Sequence, residues 1–270
     1  MDHSTVTRTM KKYLSVAALL FGGLLSSCGK EAIQELALAP LATSRVRFFN
    51  FGVTAPSVNF YANETKMTAV VSATGTEATT GVAYGGVGAG GAYSAIAPGQ
   101  YTLTGKIAAT TDKDLSIAPV PTTIADGKYY SYYMSGIYST ATKTVDAFVV
   151  EDPVVPPTDL SVATVRFVNA ISNANPMQLY ARDSTTGVER SLSAAVAYKG
   201  AGAFTTLPQG VYNLITRYPG APANVITRTE ISFVGGRVYT VTARGDITVA
   251  PTATACGNTN RTCLDNTANR

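Results

Sequence analysis

The chain has 270 residues and a formal net charge of +4, and 46% of its residues are hydrophobic while 14% are charged. This composition can supply hydrophobic cores, which excludes a chain that is disordered over most of its length. Lysine and arginine residues are not clustered, so no basic surface of the kind that follows a nucleic-acid backbone is expected.

The N-terminal region is typical of a secretory signal. Arg8, Lys11 and Lys12 precede the apolar run 14–25. This run is too short to cross a bilayer, which needs about 20 apolar residues. We therefore expect a signal peptide at 1–27.

The signal ends at a sequence that resembles the bacterial lipobox. LSSC at 25–28 places a branched apolar residue and two small residues before Cys28, whose thiol would receive lipid. The membrane is then a partner through acyl chains on Cys28, which begins a tether at 28–43. Gly29 stands where an aspartate would resemble an inner-membrane retention signal, which favours the outer membrane, facing the periplasm or the cell surface. An ordinary secretory signal or a short membrane anchor is the alternative.

The rest of the chain repeats itself. VRFFN at 46–50 returns as VRFVN at 165–169, and further matches follow in the same order. They pair Phe60-Tyr61-Ala62 with Leu179-Tyr180-Ala181, Val82-Ala83-Tyr84 with Val196-Ala197-Tyr198, and Gly99 and Tyr101 with Gly210 and Tyr212. An internal duplication fixes the number of domains at two. We predict domains at 44–151 and 160–250, a proline-rich linker at 152–159 and a C-terminal tail at 251–270.

Each copy alternates apolar and polar residues with the period of a β-strand. Val46 and Phe48 share one face, as Val165 and Phe167 do, and turn-forming Pro-Gly and Gly-Gly pairs separate the short runs. About seven strands per copy predict an all-β fold of two tandem antiparallel β-sandwich domains with an immunoglobulin-like arrangement. The lack of a paired Cys and Trp argues against an antibody-type domain.

The order of these motifs resembles the bacterial extracytoplasmic modules of the DUF4397 family. The resemblance rests on the Val-Arg-Phe start, a strand ending in Tyr-Ala, and PGQYTL at 98–103 or PQGVYNL at 208–214. It covers about residues 44–250. The loops 51–56 and 170–176 lack the acidic residue that the family often has there, so no ligand role of that residue is carried over. Because the family has no assigned function, the resemblance implies a fold and no activity.

Residues suited to catalysis are scarce. The single histidine, His3, lies in the predicted signal peptide, which leaves none for a Ser-His-Asp arrangement or a typical zinc site. Asp112 and Asp114 are close in sequence, as are Glu151 and Asp152. We interpret them as solvated loop charges, since paired glycosidase acids must face each other across a cleft. We expect no catalytic residue, no metal and no cofactor.

A glycine-rich segment, GVGAGG at 86–91, has the letters of a dinucleotide-binding fingerprint. That fingerprint works only between a strand and a helix N-terminus, and here a strand-like run and a turn follow. The segment is interpreted as a flexible hairpin loop.

The densest aromatic cluster lies at 129–133. Register with the second copy places Tyr130 and Tyr132 on the core face and Tyr129 and Tyr133 on the opposite face. The outward pair could stack on a sugar ring or a partner, or could pack against the neighbouring domain or a loop.

Two cysteines remain if Cys28 is lipidated. Cys256 and Cys263 enclose the turn-prone run 257–262 in a chain exported to an oxidising compartment, which predicts a disulfide. A metal pair would lack further ligands, and a redox site usually has two intervening residues.

Together these features predict a lipid-anchored, non-catalytic cell-envelope protein that serves as a binding, adhesion or spacer module. Its partner would be a glycan or an envelope protein, and the oligomeric state stays open. The alternative is an enzyme or accessory protein that acts on envelope or extracellular glycans through carboxylates or tyrosines.

Overall fold

The first half of the protein forms eight strands in two sheets. The computed structural model describes residues 43–68, 80–153, 156 and 158–269. The strands are β1 (Ser44–Asn50), β2 (Val58–Ala62), β3 (Thr65–Lys66), β4 (Ser94–Ile96), β5 (Gly99–Ile107), β6 (Val120–Ile124), β7 (Tyr129–Ser139) and β8 (Thr144–Glu151). Sheet A has the order β4-β1-β7-β8 and sheet B the order β3-β2-β5-β6.

The second half repeats this arrangement. Its strands are β9 (Val162–Asn169), β10 (Gln178–Asp183), β11 (Glu189–Ser191), β12 (Thr205–Pro208), β13 (Gly210–Arg217), β14 (Asn224–Phe233), β15 (Val238–Arg244) and β16 (Cys263–Ala268). Sheet C has the order β12-β9-β15-β16 and sheet D the order β11-β10-β13-β14. Each sheet takes its strands from one half of the chain, and the strand orders of the two halves are the same. The predicted all-β sandwich fold is confirmed.

One strand pair in each half is parallel, which corrects the purely antiparallel prediction. Val46 lies opposite Tyr130 in the β1–β7 pair, and Val165 lies opposite Tyr239 in the β9–β15 pair. Parallel neighbours need a long connection, and here the chain builds sheet B between β1 and β7. The strand orders also differ from the ABED and CFG sheets of an immunoglobulin constant domain.

The last strand belongs to the second sandwich. β16 pairs antiparallel with β15, placing Cys263 opposite Arg244 and Ala268 opposite Tyr239. The predicted domain end at 250 and the free tail at 251–270 are therefore wrong. The sequence comparison missed this strand because CLDNTA in β16 has little in common with TVDAFVVE in β8.

Each half has its own core between its two sheets. In the first half, the rings of Phe48, Phe60 and Tyr132 lie 5.1 to 5.8 Å apart and join sheet A to sheet B. In the second half, Phe167 of sheet C packs with Leu179 and other aliphatic residues of sheet D. Removal of these side chains from water is the main favourable contribution to folding.

The central strands of sheets A and C, β1 and β7 in one and β9 and β15 in the other, are buried on both faces because the two sheets pack against each other. The layers therefore follow the order B, A, C, D. A third apolar cluster joins the halves and contains Phe49, Phe51, Tyr133 and Phe148 of the first half and Val168 and Ala170 of the second. Periodicity alone left open whether the outer faces of these strands meet solvent, a loop or a partner. In the structure these faces form the interface between the two halves.

The predicted signal peptide at 1–27, the lipidation site at Cys28 and the tether as far as residue 42 lie outside the described residues. Within the described part of the chain, no helix has the length and apolar character needed to span a membrane.

Candidate functional site at the interdomain interface

Tyr133 lies inside the interface between sheets A and C. Its side chain is fully buried, and its ring stacks between Phe49 at 4.6 Å and Phe148 at 5.1 Å. Val168 and Ala170 of the second half complete the cluster. The interdomain contact, one of the two predicted roles, is the one in which the structure places Tyr133.

Tyr129 contacts another tyrosine of the first sandwich. Its ring lies edge-on to Tyr93, with ring centroids 5.2 Å apart. The two predicted tyrosines therefore do not form one aromatic platform. Tyr93, which the sequence interpretation did not single out, is the residue that links Tyr129 to the charged part of the interface.

Asp152 is the central charged group of the interface. Its side chain is 1% exposed and accepts hydrogen bonds from the hydroxyls of Tyr93 at 2.7 Å and Ser131 at 2.6 Å. It also accepts a hydrogen bond from the guanidinium of Arg166 in the second half. The interpretation of Asp152 as a solvated loop charge is therefore wrong, whereas its neighbour Glu151 is an exposed residue paired with Lys128.

The guanidinium of Arg166 is held on several sides. Its Nη1 donates to the backbone carbonyl of Glu151 at 2.8 Å, and its Nε donates to the hydroxyl of Thr240 at 3.1 Å. The ring of Phe204 lies 5.0 Å from the guanidinium carbon. A buried ion pair requires such additional hydrogen bonds to offset the loss of water around both charges.

An equivalent set of contacts runs in the opposite direction. Arg47, the counterpart of Arg166, places its Nη1 3.4 Å from the carbonyl of Ala268 and 3.5 Å from Oδ1 of Asn269. Its guanidinium carbon lies 4.0 Å from the ring centre of Tyr93. Asn269 follows β16 as Asp152 follows β8, and both backbone N–H groups donate to the strand next to them. Contacts that are reciprocal in this way define a twofold, isologous interface.

A second reciprocal pair flanks the first. The hydroxyl of Tyr198 donates to Asp146 at 3.1 Å and is hydrogen-bonded to Ser135 at 2.9 Å. Gly136 makes this approach feasible, since it adopts φ +79° and a Cβ there would lie 3.1 Å from the Tyr198 oxygen. Lys199 adds an ion pair with Asp146 at 2.7 Å.

Tyr84, the counterpart of Tyr198, contacts Arg244 of the second half. The guanidinium of Arg244 lies 5.1 Å from the ring centres of both Tyr84 and Phe51 and is paired with Asp265. Cations over aromatic faces are stabilising when water is excluded, and Arg244 is only 1% exposed.

Burial keeps these tyrosines protonated, and the hydroxyls of Tyr93 and Tyr198 donate hydrogen bonds to carboxylates. Burial raises the pKa of Tyr133 to about 12, and the negative charge of Asp152 acts in the same direction. Burial also raises the pKa of Tyr93 and of Tyr198, and the nearby carboxylates of Asp152 and Asp146 raise them further. Ser131 and Asp152 have the residue types of a nucleophile and a base, but they are 2% and 1% exposed and sealed between sheets. The arrangement joins domains and does not present reactive groups to a substrate.

The remaining predicted sites are placed as follows. Cys256 and Cys263 form a disulfide with Cα atoms 5.6 Å apart, as predicted. Their sulfurs lie near Asp265, but sulfurs bonded to each other are not the thiolates that bind metals.

Asp112 is paired with Lys143. The glycine-rich segment ends in a short 3₁₀ turn at Gly88–Gly91, and β4 follows it instead of a helix.

The sequence contains a signal for this interface that was not used. Arg47 and Arg166 stand at the same place in both copies, within apolar strands, and a charged residue kept in a buried strand implies a buried partner. The partner Asp152 could not be found in this way, because its counterpart in the second copy is Asn269.

Comparison with known proteins identifies one half of the chain. Residues 163–269 match the family model described as Domain of unknown function (DUF4397), so a DUF4397 domain is present there. The match spans β9 to β16 and includes the strand that the predicted boundary left out. No curated protein matches the chain at a significant level.

Proposed function

We propose that this protein is a non-catalytic, lipid-anchored protein of the cell envelope in which two DUF4397-type sandwiches form one rigid body. The anchor is Cys28, and the outer membrane is the location. This two-sandwich body serves as a binding module or a spacer, and it holds its own exposed surface at a fixed distance and orientation from the membrane.

The reciprocal interface is the observation that carries the proposal. Flexible tandem domains meet through small, wet contacts, whereas here Asp152 and Arg166 are buried together beside an aromatic cluster. A fixed relation between the two halves suits a spacer or a two-domain binding surface. The equal strand orders and the reciprocal arginines support the view that the first half is a second copy of the DUF4397 fold.

The proposed anchor is tested in cells. Wild-type protein is expected to enter the detergent phase on phase separation, and Cys28→Ser is expected to accumulate as an uncleaved precursor. A Ser27→Thr variant, which retains Cys28, provides a control for changes near the cleavage site. Recovery of wild-type mature protein in the aqueous phase with an unmodified N-terminus would contradict the proposal.

A further inference from the structure

One end of the protein, here called the tether end, consists of Thr43 and the turns 125–128 and 234–237. The hydroxyl of Thr43 donates to Asp126 and accepts a hydrogen bond from the backbone N–H of Gly127 at 3.3 Å. The 15 residues from 28 to 42 span at most about 50 Å when extended. An anchor at Cys28 therefore holds this end within that distance of the membrane.

Each turn of the tether end stands at the start of a strand of the interface. The backbone N–H of Arg45 in β1 donates to the carbonyl of Lys128 in the first turn at 3.0 Å. The backbone N–H of Thr164 in β9 donates to the carbonyl of Arg237 in the second turn at 2.9 Å. The two turns are therefore equivalent parts of the two sandwiches.

Both turns lie at one end because β1 and β9 run in the same direction. The middle of β9 lies near the start of β7, since Arg166 donates to the carbonyl of Glu151, which is next to Tyr130. The end of β9 lies farther along β7, since Tyr198, close to that end, is hydrogen-bonded to Ser135. Because β1 is parallel to β7, it points the same way as β9.

Most of the exposed apolar side chains are at the tether end. Six large hydrophobic side chains are exposed in the described part of the chain, and four of them, Leu160, Val188, Val211 and Val234, lie here. Val211 is beside the end of β14, and Val188 belongs to the loop 184–188, whose first backbone N–H donates to Val211. Leu160 is 73% exposed and Val234 49%. Single exposed apolar residues are ordinary, but a group at one end indicates an interaction surface.

Two glycines allow Leu160 to lie on the second turn. A Cβ at Gly235 would collide with the carbonyl of Leu160, and one at Gly236 would lie 2.8 Å from its Cδ2. Gly236 also adopts φ +72°, a conformation that favours glycine. The turn therefore supports Leu160 from below and leaves the outer side of its side chain uncovered.

We propose that the tether end rests on the lipid surface, with Leu160 and Val234 in the boundary between headgroups and acyl chains. The contact needs little affinity of its own, because the anchor confines the body near the membrane and raises its effective concentration there. Asp159 next to Leu160 and Arg237 on the turn have opposite charges, so the contact does not depend on anionic lipid. This inference rests on the proposed anchor and deepens it by naming the surface that faces the membrane.

The experiment uses the absence of tryptophan from the sequence, which lets one introduced tryptophan report on its own surroundings. The mature lipidated protein carrying Leu160→Trp is reconstituted into phosphatidylcholine vesicles, with or without lipid brominated near the top of its acyl chains. Bromine quenches tryptophan on contact, and interfacial segments enter by about 5–10 Å, so the emission should fall by roughly half in brominated vesicles. Val234→Trp should behave alike, and adding phosphatidylglycerol should not change the quenching.

Ile137→Trp is the matched control, because it also controls for the preference of tryptophan itself for membrane interfaces. Ile137 is 48% exposed and lies eight residues along β7 from Tyr129, about 26 Å from the tether end. Its tryptophan should be quenched by acrylamide in the aqueous phase and not by brominated lipid. Circular dichroism establishes that each variant is folded.

Flotation of the vesicles measures the anchor separately. If the protein floats but neither tether-end tryptophan is quenched by bromine, the inference is overturned and the anchor stands. Equal quenching of Ile137→Trp would also overturn it. Blue-shifted emission that neither bromine nor acrylamide quenches would place the patch against protein instead of lipid, with the same consequence. A protein that does not float would overturn the anchor and this inference with it.

Discussion

Arg47 and Arg166 occupy equivalent positions in β1 and β9, and each reaches the backbone carbonyl at the end of the other half's last strand. Nη1 of Arg47 lies 3.4 Å from the carbonyl of Ala268, and Nη1 of Arg166 lies 2.8 Å from that of Glu151. In a symmetric homodimer such a pair of contacts would be identical. Here the two copies differ: Arg166 is paired with the carboxylate of Asp152, whereas Arg47 lies beside the amide of Asn269.

Asp152→Ala is expected to lower the free energy of unfolding by about 3–5 kcal/mol, since it leaves the buried guanidinium of Arg166 without its counter-charge. Urea unfolding followed by circular dichroism measures the loss. Glu151→Ala is the matched control one residue away, because the Glu151 side chain is exposed and paired only with Lys128. Its effect should stay below about 1 kcal/mol.

The ion pair of Asp152 and Arg166 can also be tested by replacing both residues. Asp152→Leu combined with Arg166→Met should be less destabilising than Asp152→Ala alone, because no unpaired charge is left behind. If Asp152→Ala were as stable as Glu151→Ala, the ion pair would not couple the two halves.

Sequence periodicity predicted the strands and the core but not what covers their outer faces. Val46 and Phe48 alternate as a half-buried strand should, yet Arg47 and Phe49 between them are buried as well. A local pattern cannot show that a second sandwich lies on the other face, because that contact joins residues more than 100 positions apart along the chain. Asp152 looked like a solvated loop charge because it stands beside the linker prolines, and its partner Arg166, only 14 positions away, lies in the other sandwich.

The candidate sites also differ in how far the sequence could predict them. The pair Cys256 and Cys263 was predictable because both residues lie in one short turn. The burial of Asp152 beside Arg166 was not, since it depends on how sheets A and C pack against each other.

Alkaline pH should weaken the interface. The folded-state pKa of Tyr133 is raised from 10.0 to about 12, so its contribution to stability is fully present below about pH 10 and is lost as the pH rises towards 12. Tyr93 and Tyr198 are raised in the same direction by burial. The free energy of unfolding should therefore fall steadily above pH 10.

Tyr133→Phe isolates one contribution to this fall. In that variant the free energy of unfolding should fall less steeply, by about 1.4 kcal/mol per pH unit between pH 10 and 12. The reason is that the variant lacks the Tyr133 phenol, which in this range ionises in the unfolded state but stays protonated in the folded state. Urea unfolding at pH 8, 9, 10 and 11 gives the two slopes, and absorbance near 295 nm reports phenolate formation. Equal slopes in both proteins would show that Tyr133 titrates alike in the folded and unfolded states.

The two sandwiches should stay together when the chain between them is cut. A protease site replacing residues 154–157 would allow cleavage of the folded protein, and the fragments are expected to elute from gel filtration as one species. The aromatic cluster around Tyr133 and the reciprocal arginines provide the contacts that hold them. The same cut in an Asp152→Ala background should release the fragments more readily. Separate elution of the wild-type fragments would contradict a rigid two-domain body.

The disulfide should stabilise the interface as well as its own loop. Cys263 lies opposite Arg244 in the β15–β16 pair, and Nη2 of Arg244 donates to the carbonyl of Gly257 inside the closed loop at 3.1 Å. Arg244 in turn packs between Phe51 and Tyr84 of the first half. Loss of the bond therefore frees a segment that positions an interface arginine.

Cys256→Ser is the variant of choice, since Cys256 is half-buried while Cys263 is 1% exposed and a polar replacement there would add its own cost. For a closed loop of about eight residues, chain entropy gives a loss of about 2.5 kcal/mol in the free energy of unfolding. Urea unfolding of the wild type with and without a phosphine reductant should reproduce this loss, and the reductant should leave Cys256→Ser unchanged. Amide hydrogen exchange should accelerate in β16 and around Arg244 but not in sheet B, because sheet A lies between sheet B and the second half. A reductant effect of the same size in both proteins would instead point to a target other than this disulfide.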